Sequence, residues 1–226
     1  EKLNRFVKGK PGSLLLVEFA GTELSPLKRK LKELDELLEA HGFQAAVVEA
    51  IDPKLQKEVW DVRKSGLNIM MSMKGDGKPV SCIEDCAVEL PDLAEYTSRL
   101  NELFEKYGTT GTWYAHASVG CLHVRPVLNL KQEMDARKLR AITEETFAIV
   151  QEYKGSHSGE HGDGLVRSEF HELMYGKRIV KAFEEIKQIF DPRSLLNPGK
   201  IVKPSKMDDR SLFRYGPEYL ESDITP

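Results

Sequence analysis

The sequence has few of the features that would set it apart from ordinary globular proteins. Three cysteines in 226 residues, an odd and low number, argue against a disulfide framework and favour a reducing cytoplasm. Of these, Cys82 and Cys86 are expected to be small buried hydrophobic residues rather than a metal-binding pair. No apolar run approaches the roughly 20 residues of a membrane-spanning helix. A net charge of −3 gives no general attraction to nucleic acid, so we expect a cytoplasmic protein without a transmembrane segment or a nucleic-acid partner.

The sequence also lacks an initiator methionine and a glycine-rich dinucleotide-binding fingerprint. Its first five residues are mostly charged, so we expect no signal peptide here. The composition is otherwise ordinary, with 40% hydrophobic and 31% charged residues. A chain of this length holds one large domain or two small ones. We therefore expect a globular piece of something longer.

Apolar periodicity predicts strands interspersed with helices. Residues 13–20 and 44–48 are predicted strands around a helix at 26–41, which Gly42 ends. A second helix is predicted to begin at the N-cap Asp52 and to end near Ser65-Gly66. The rest of the chain predicts a strand at 80–90, a helix at 91–107, a hairpin of 110–117 with 121–127, and helices at 131–153, 170–175 and 177–190. We expect an α+β domain with a largely antiparallel sheet covered by helices.

Two histidines of the predicted hairpin form the first candidate site. His116 and His123 are seven residues apart, so they do not share one helix face as residues at i and i+4 do. On two strands joined by the turn around Gly120, they can point to the same spot. Imidazoles that converge with a carboxylate suit zinc or manganese. The alternative is that each is an ordinary half-buried histidine.

A glycine-rich loop, residues 159–164, contains the second candidate site. Its glycines allow a close approach of the backbone to a ligand, and the adjacent Glu160 and His161 can take different roles. One side chain can bind a cation while the other acts as a base near neutral pH. A phosphate-binding loop is disfavoured because the loop carries two acids and no Gly-Lys-Ser/Thr follows. A plain solvent loop is the remaining alternative.

Three arginines are candidates for binding an acidic substrate. A guanidinium pairs with a carboxylate through two parallel hydrogen bonds. Arg125 and Arg167 close the two candidate segments, and Arg63 lies earlier in the chain, in Trp60-Asp-Val-Arg63-Lys64. The alternative for each arginine is a surface salt bridge.

From about Ser13 to Val202 the chain resembles the C-terminal domain of FAD-linked oxidases and dehydrogenases that act on 2-hydroxy acids. Glycolate oxidase flavin subunits, D-lactate dehydrogenases and D-2-hydroxyglutarate dehydrogenases are of this kind. Four motifs carry the resemblance: His116-x6-His123, Gly159-Glu-His-Gly162, Ile83-Glu-Asp85-Cys-Ala-Val88 and Asp191-Pro-x4-Asn197-Pro-Gly-Lys-Ile201.

The resemblance implies a ferredoxin-like α+β substrate domain, here residues 1–203, that caps a separate FAD domain absent from this chain. It implies that His116, His123 and Glu160 hold a divalent metal, zinc or manganese, and that His161 is the base or a substrate contact. It places a carboxylate-binding arginine at Arg63. It also implies that Asn197 and Lys200 approach the flavin.

Two departures from the family pattern point to a particular subgroup. Ser118-Val-Gly-Cys121 stands where many members have Gly-Asp-Gly-Asn, and Arg125 stands where asparagine is frequent. With Arg167, this resembles long fusion proteins in which an iron–sulfur region follows the flavoprotein part. Residues 204–226 are then expected to lead to that region, which would accept the electrons and could link the protein to a membrane through an electron-transfer partner.

Two other functions are compatible with the same residues. A flavin-free metal hydrolase, or a simple metal-binding module, would use the same two histidines and glutamate. A family member that has lost its activity and serves as an interaction scaffold is the third interpretation.

Overall fold

The protein divides into two compact units, residues 1–69 and 70–226. A computed structural model of the chain describes residues 6–43, 47–216 and 219–220. Helix α1 (Leu24–Ala40) and most of helix α2 (Pro53–Met71) belong to the first unit, and every β-strand in the described part of the chain belongs to the second. No helix among the described residues is both long and apolar enough to span a lipid bilayer.

The helix ends of the first unit show which local signals are reliable. Gly42 has φ +79° after α1, and its N–H donates to the carbonyl of Glu39 at 2.9 Å, as predicted for a capping glycine. Asp52 accepts a hydrogen bond from the N–H of Leu55 at 2.9 Å, which confirms it as the N-cap of α2. The predicted end near Ser65-Gly66 was wrong, because α2 continues to Met71. A single glycine costs a helix only about 1 kcal/mol, which favourable neighbours can offset.

The predicted strand at residues 13–20 was also wrong. These residues have an irregular backbone, and the side chains of Leu14 and Leu15 are 67% and 73% exposed. An apolar run becomes a strand only when a neighbouring strand supplies hydrogen-bond partners, and none pairs with it in the described part of the chain. Of the second predicted strand, residues 44–46 lie outside the described residues, and residues 47–48 are irregular.

The second unit contains two three-stranded antiparallel sheets. Their strand orders are β1-β6-β3 and β2-β5-β4, and the strands are β1 (Lys78–Pro79), β2 (Cys86–Ala87), β3 (Gly111–Thr112), β4 (Ala115–His116), β5 (Cys121–Leu122) and β6 (Arg125–Leu128). Strands β4 and β5 are antiparallel, with His116 paired to Cys121, which confirms the predicted hairpin. The predicted strand at 80–90 shrinks to β2, because Asp85 has φ +81° and interrupts it.

Helices cover these sheets, so the α+β class and its antiparallel pairing are confirmed. The helices are α3 (Leu93–Lys106), α4 (Glu133–Glu152), α5 (Gly164–Arg167) and α6 (His171–Phe190). Their buried apolar residues, which include Tyr96, Phe104 and Phe147, form one cluster with residues of the sheets. Within α6, Gly176 has φ +77° and ψ 160°, so the helix breaks where the sequence predicted the boundary between two helices.

Two segments follow α6. The first, residues 191–203, is called the strap here, and it begins at Asp191. The carboxylate of Asp191 accepts hydrogen bonds from Lys187 and from the N–H groups of Leu196 and Leu195, which lower its pKa to about 2. The second segment, residues 204–216, contributes Met207 to the core of the second unit. It is joined to α4 by an ion pair between Arg210 and Glu133 at 3.0 Å.

Candidate functional site

The side chains predicted as metal ligands lie together in the second unit. Oε1 of Glu160 is 3.3 Å from Nε2 of His116 and 3.0 Å from Nε2 of His123. The same oxygen is 3.7 Å from Nε2 of His161, the predicted base. Three imidazoles from the hairpin and the glycine-rich loop therefore converge on one carboxylate oxygen.

The hairpin turn brings the two histidines to one side. His116 ends β4, and residues 117–119 form a single 3-10 turn that Gly120 closes with φ +69°. A Cβ atom at Gly120 would stand 1.9 Å from the carbonyl oxygen of Val88, so this position requires glycine. The N–H of His123 donates to the carbonyl of Tyr114, and the rings of His116 and His123 meet edge to face at 5.0 Å.

Asp85 holds the glycine-rich loop in place. Its fully buried carboxylate accepts hydrogen bonds from the N–H groups of Glu160 and His161 at 3.0 and 2.8 Å, and from the hydroxyl of Ser158 at 2.7 Å. Burial raises the pKa of this carboxyl group, but these hydrogen bonds outweigh burial and lower its pKa overall. The ionised form of Asp85 thus fixes the loop through its backbone.

Glu84 lies beside the imidazole rings of His123 and His161. Its carboxylate accepts two hydrogen bonds of 2.6 Å from Arg125, and only 5% of the residue is exposed. Oε1 of Glu84 lies 3.8 Å from Nδ1 of His123 and 3.8 Å from Nδ1 of His161. The two imidazole rings are stacked, with centroids 4.8 Å apart.

Two of the predicted carboxylate-binding arginines are engaged inside the protein. Arg125 forms the pair with Glu84, and the buried Arg167 donates to the carbonyls of Glu84 and Gly162. The third, Arg63, lies in α2, with its guanidinium 5.2 Å from the centre of the Trp60 ring. Arg125 and Arg167 therefore stabilise, through these bonds, the segments that carry the site.

Glu84 and Asp85 were not predicted to be functional residues. In the sequence they are noticed only as part of the family motif Ile83-Glu-Asp85-Cys-Ala-Val88. The available signal was the placement of two adjacent acids inside an apolar segment, since buried carboxylates are rare unless they are paired. Both are indeed buried and paired.

The donor set fits a divalent cation. One ligand atom from each of Asp85, His123, Glu160 and His161 lies within 4.8 Å of the others, and His116 adds a further imidazole beside Glu160. Burial lowers the pKa of His123, and the nearby His161 adds to this effect, which favours the neutral imidazole that binds metals. Asp85 already accepts several hydrogen bonds from the loop, so its oxygens are less available to a cation than those of Glu160.

The predicted flavin-side residues lie on the strap. Asn197 and Lys200 are exposed, and Nζ of Lys200 is 3.4 Å from Oδ1 of Asn197. The strap is tied to the rest of the unit at Ile201, whose carbonyl lies 3.2 Å from Nδ1 of His171. Nε2 of His171 is in turn 3.0 Å from a carboxylate oxygen of Asp163 in the glycine-rich loop. The buried His171 thus connects the strap with the loop that carries Glu160 and His161.

A separate cavity of about 400 Å³ lies elsewhere in the second unit. None of the five residues grouped around the candidate metal position is among its lining residues, which include Val80, Cys82, Leu128, Leu139, Met207 and Phe213. Burial raises the pKa of Cys82 to about 11, so its thiol stays protonated. This agrees with the prediction that Cys82 is a buried hydrophobic residue.

Comparison with known proteins gives a consistent result. The chain is 30% identical over 202 residues to D-2-hydroxyglutarate dehydrogenase of Escherichia coli, which covers 86% of this chain and 20% of that protein. It is 25% identical over 189 residues to glycolate oxidase subunit GlcD of Bacillus subtilis, covering 84% of this chain and 39% of the relative. D-lactate dehydrogenase of Anaerostipes hadrus is 28% identical over 194 residues, covering 84% and 39% respectively.

The chain thus spans about a fifth of the length of its D-2-hydroxyglutarate dehydrogenase relatives. Residues 3–201 match the family described as FAD linked oxidases, C-terminal domain. This range includes every residue of the candidate site. The chain therefore belongs to the C-terminal domain family of the FAD-linked oxidases.

Proposed function

We propose that this chain is the substrate domain of an FAD-dependent dehydrogenase that oxidises a small 2-hydroxy acid of the D-lactate, glycolate or D-2-hydroxyglutarate kind. The observation that supports this most directly is the convergence of His116, His123 and His161 on the Glu160 carboxylate. In the proposal, residues 1–203 form the substrate domain, and the FAD-binding domain belongs to another part of the protein.

His116, His123 and Glu160 are proposed to hold a zinc or manganese ion. Such an ion would polarise the substrate hydroxyl as a Lewis acid, while FAD would accept the hydride from the α-carbon. His161 is proposed to take the hydroxyl proton at Nε2, which lies 3.7 Å from the Glu160 carboxylate. About half of the His161 side chain is exposed, so a small substrate can reach it.

Arg63 is proposed to bind the substrate carboxylate through its planar guanidinium. Arg125 and Arg167 are not given this role, because their guanidinium groups already bind Glu84 and backbone carbonyls. The exposed Asn197 and Lys200 on the strap are proposed to face the flavin. A downstream iron–sulfur region is proposed as the electron acceptor, which would place the protein in the cytoplasm or beside a membrane-bound partner.

The test uses the protein together with its FAD domain and follows flavin reduction by D-lactate, glycolate and D-2-hydroxyglutarate after rapid mixing. His161→Ala is expected to slow flavin reduction about 10²- to 10⁴-fold, the usual contribution of a general base, while the bound metal is kept. Glu160→Gln is expected to reduce both flavin reduction and metal content. His41→Ala, which changes an exposed histidine of the first unit, is the control.

Near-normal flavin reduction in both site variants would contradict the proposal. Metal-dependent hydrolysis without flavin would favour the metal hydrolase instead.

A further inference from the structure

Glu84 is a buried carboxylate that the proposed reaction does not use directly. Only 5% of the residue is exposed, and its charge is balanced by the two hydrogen bonds from Arg125. An ion pair buried to this extent contributes little net stability compared with apolar residues of the same size. Its location next to the candidate metal position therefore calls for a reason other than stability.

The neighbouring His123 has a buried ring nitrogen that the fold does not satisfy. Nε2 of His123 faces Glu160, but Nδ1 has no hydrogen-bond partner among the residues that the structure describes. A buried polar atom without a partner destabilises the fold. Oε1 of Glu84 lies 3.8 Å from this nitrogen.

The same oxygen also faces His161. Nδ1 of His161 lies 3.8 Å from Oε1 of Glu84, and the two imidazole rings are stacked with an interplanar angle of 11°. Both rings thus turn Nδ1 toward Glu84 and Nε2 toward Glu160. A carboxylate oxygen has two lone pairs, so Oε1 can accept a hydrogen bond from an imidazole as well as from Arg125.

We propose that Glu84 is a positioning residue that sets the tautomer and orientation of His123, with Arg125 holding its carboxylate in place. This inference rests on the proposed metal site. A histidine that binds a metal through one nitrogen usually donates its other N–H to a carboxylate, which fixes the ring and makes the bound nitrogen a stronger donor. Glu84 supplies that carboxylate to His123.

Arg125 is thereby assigned a function different from that predicted from the sequence. Its guanidinium forms two hydrogen bonds with Glu84, which balance the buried charge and fix the plane of the carboxylate. Variants at the two positions separate positioning from stability, because each breaks the same ion pair but only one removes the carboxylate.

The experiment measures Zn²⁺ and Mn²⁺ affinity of the purified protein by competition with a chelator, for Glu84→Gln and Arg125→Met. Both variants are expected to unfold at lower denaturant concentration. Metal affinity is expected to fall about 10- to 100-fold in Glu84→Gln, the usual effect of losing such a carboxylate, and to fall by a smaller factor in Arg125→Met, which keeps the carboxylate but no longer holds it in place. Nitrogen-15 NMR of the Zn²⁺-loaded protein should show an Nδ1–H tautomer for His123 that Glu84→Gln perturbs.

A third variant guards against simple misfolding. Glu84→Leu combined with Arg125→Met removes the pair without leaving a buried charge, so it should regain stability while its metal affinity stays low. Equal losses of affinity in Glu84→Gln and Arg125→Met, or unchanged affinity in Glu84→Gln, would overturn the inference. Failure of the proposed function has a different signature, in which the unaltered protein binds no metal and Glu160→Gln has no effect on metal content.

Discussion

Glu84 and Asp85 are adjacent in the chain, yet their carboxylates act on different parts of the candidate site. Glu84 contacts Arg125 and faces two imidazoles, whereas Asp85 binds the backbone of the glycine-rich loop. The two carboxylates can point in different directions because Asp85 has φ +81°, a backbone conformation that residues other than glycine seldom adopt. Two neighbouring residues thus organise both the ring orientation and the loop position.

The hydrogen bonds of Asp85 predict a large effect of a small change. Asp85→Asn replaces one acceptor oxygen with a donor amide that faces the N–H groups of Glu160 and His161. We expect a loss of about 2–4 kcal/mol of unfolding free energy, because charged hydrogen bonds are lost inside the protein. Urea unfolding measures this loss. Asp76→Asn, which affects an exposed ion pair with Lys131, should cost less than about 1 kcal/mol, and equal losses in the two variants would contradict the prediction.

His157 predicts a dependence of stability on pH. Its side chain is stacked on Phe147, and burial lowers its pKa from 6.5 to about 4 although the nearby Asp163 opposes this shift. The unfolded chain therefore binds a proton between pH 6.5 and about 4 that the folded protein does not bind. Stability should be fully present above pH 6.5 and fall by up to about 3 kcal/mol as the pH decreases toward 4.

Thermal or urea unfolding of His157→Gln between pH 4 and 7 checks this prediction. The variant lacks the titrating group, so its stability should decrease less steeply with falling pH than that of the unaltered protein. Identical slopes would show that other groups control the acid sensitivity.

At the scale of single residues, the sequence predicted the side chains with distinctive chemistry. It did not predict the residues that hold them in place. His116, His123 and Glu160 stand out because metal-binding residue types rarely cluster beside glycines by chance. Asp85 is about 75 positions from the backbone groups that it binds, and no local pattern marks such a contact. Only the folded chain shows it.

Elements were predictable where short-range rules apply. The capping of α1 and α2, the break at Gly176 and the hairpin that carries the two histidines all depend on residues close in the sequence. Residues 13–20 failed because a strand depends on a partner strand, which a local apolar run does not reveal. The end of α2 failed because the preferences of neighbouring residues outweighed one glycine.

The turn of that hairpin provides a prediction about an element. Gly120→Ala would place a methyl group against the carbonyl of Val88 and strain a left-handed backbone conformation. We expect a loss of at least about 2–3 kcal/mol of unfolding free energy, and a weaker metal affinity because His116 and His123 flank the turn. Denaturant unfolding and chelator competition measure the two effects.

Gly108→Ala is the matched control, since Gly108 also has a positive φ of 61° but open space around its Cβ position. That variant should cost about 1 kcal/mol and leave metal affinity unchanged. If both variants behave alike, the close approach to Val88 is not what requires glycine in the turn.

For the whole molecule, the second unit extends beyond the range matched to the family. The match ends at residue 201, whereas Met207 is buried in the core and Arg140 lies 3.0 Å from Asp208. The composition of residues 204–216 did not predict this packing, because the segment contacts α4, which is distant in the sequence. Residues 204–216 therefore pack against the rest of the second unit.

Met207 tests this conclusion. Met207→Ala should destabilise the protein by about 2–4 kcal/mol, because it removes a side chain that is only 8% exposed and leaves a cavity. Met134→Ala, at a position 71% exposed, should change stability by less than about 0.5 kcal/mol. Equilibrium unfolding in urea compares them, and similar small effects would indicate that residues 204–216 are not required for the fold.

The way in which Asp85 holds the loop has a consequence for redesign. It binds residues 160 and 161 through their backbone N–H groups, which every amino acid except proline possesses. The backbone position of the loop therefore does not depend on the side chains at these two positions. Glu160 and His161 can be exchanged for other ligands or bases while the loop stays bound to Asp85, so this loop is a natural position at which to alter metal preference or reaction chemistry.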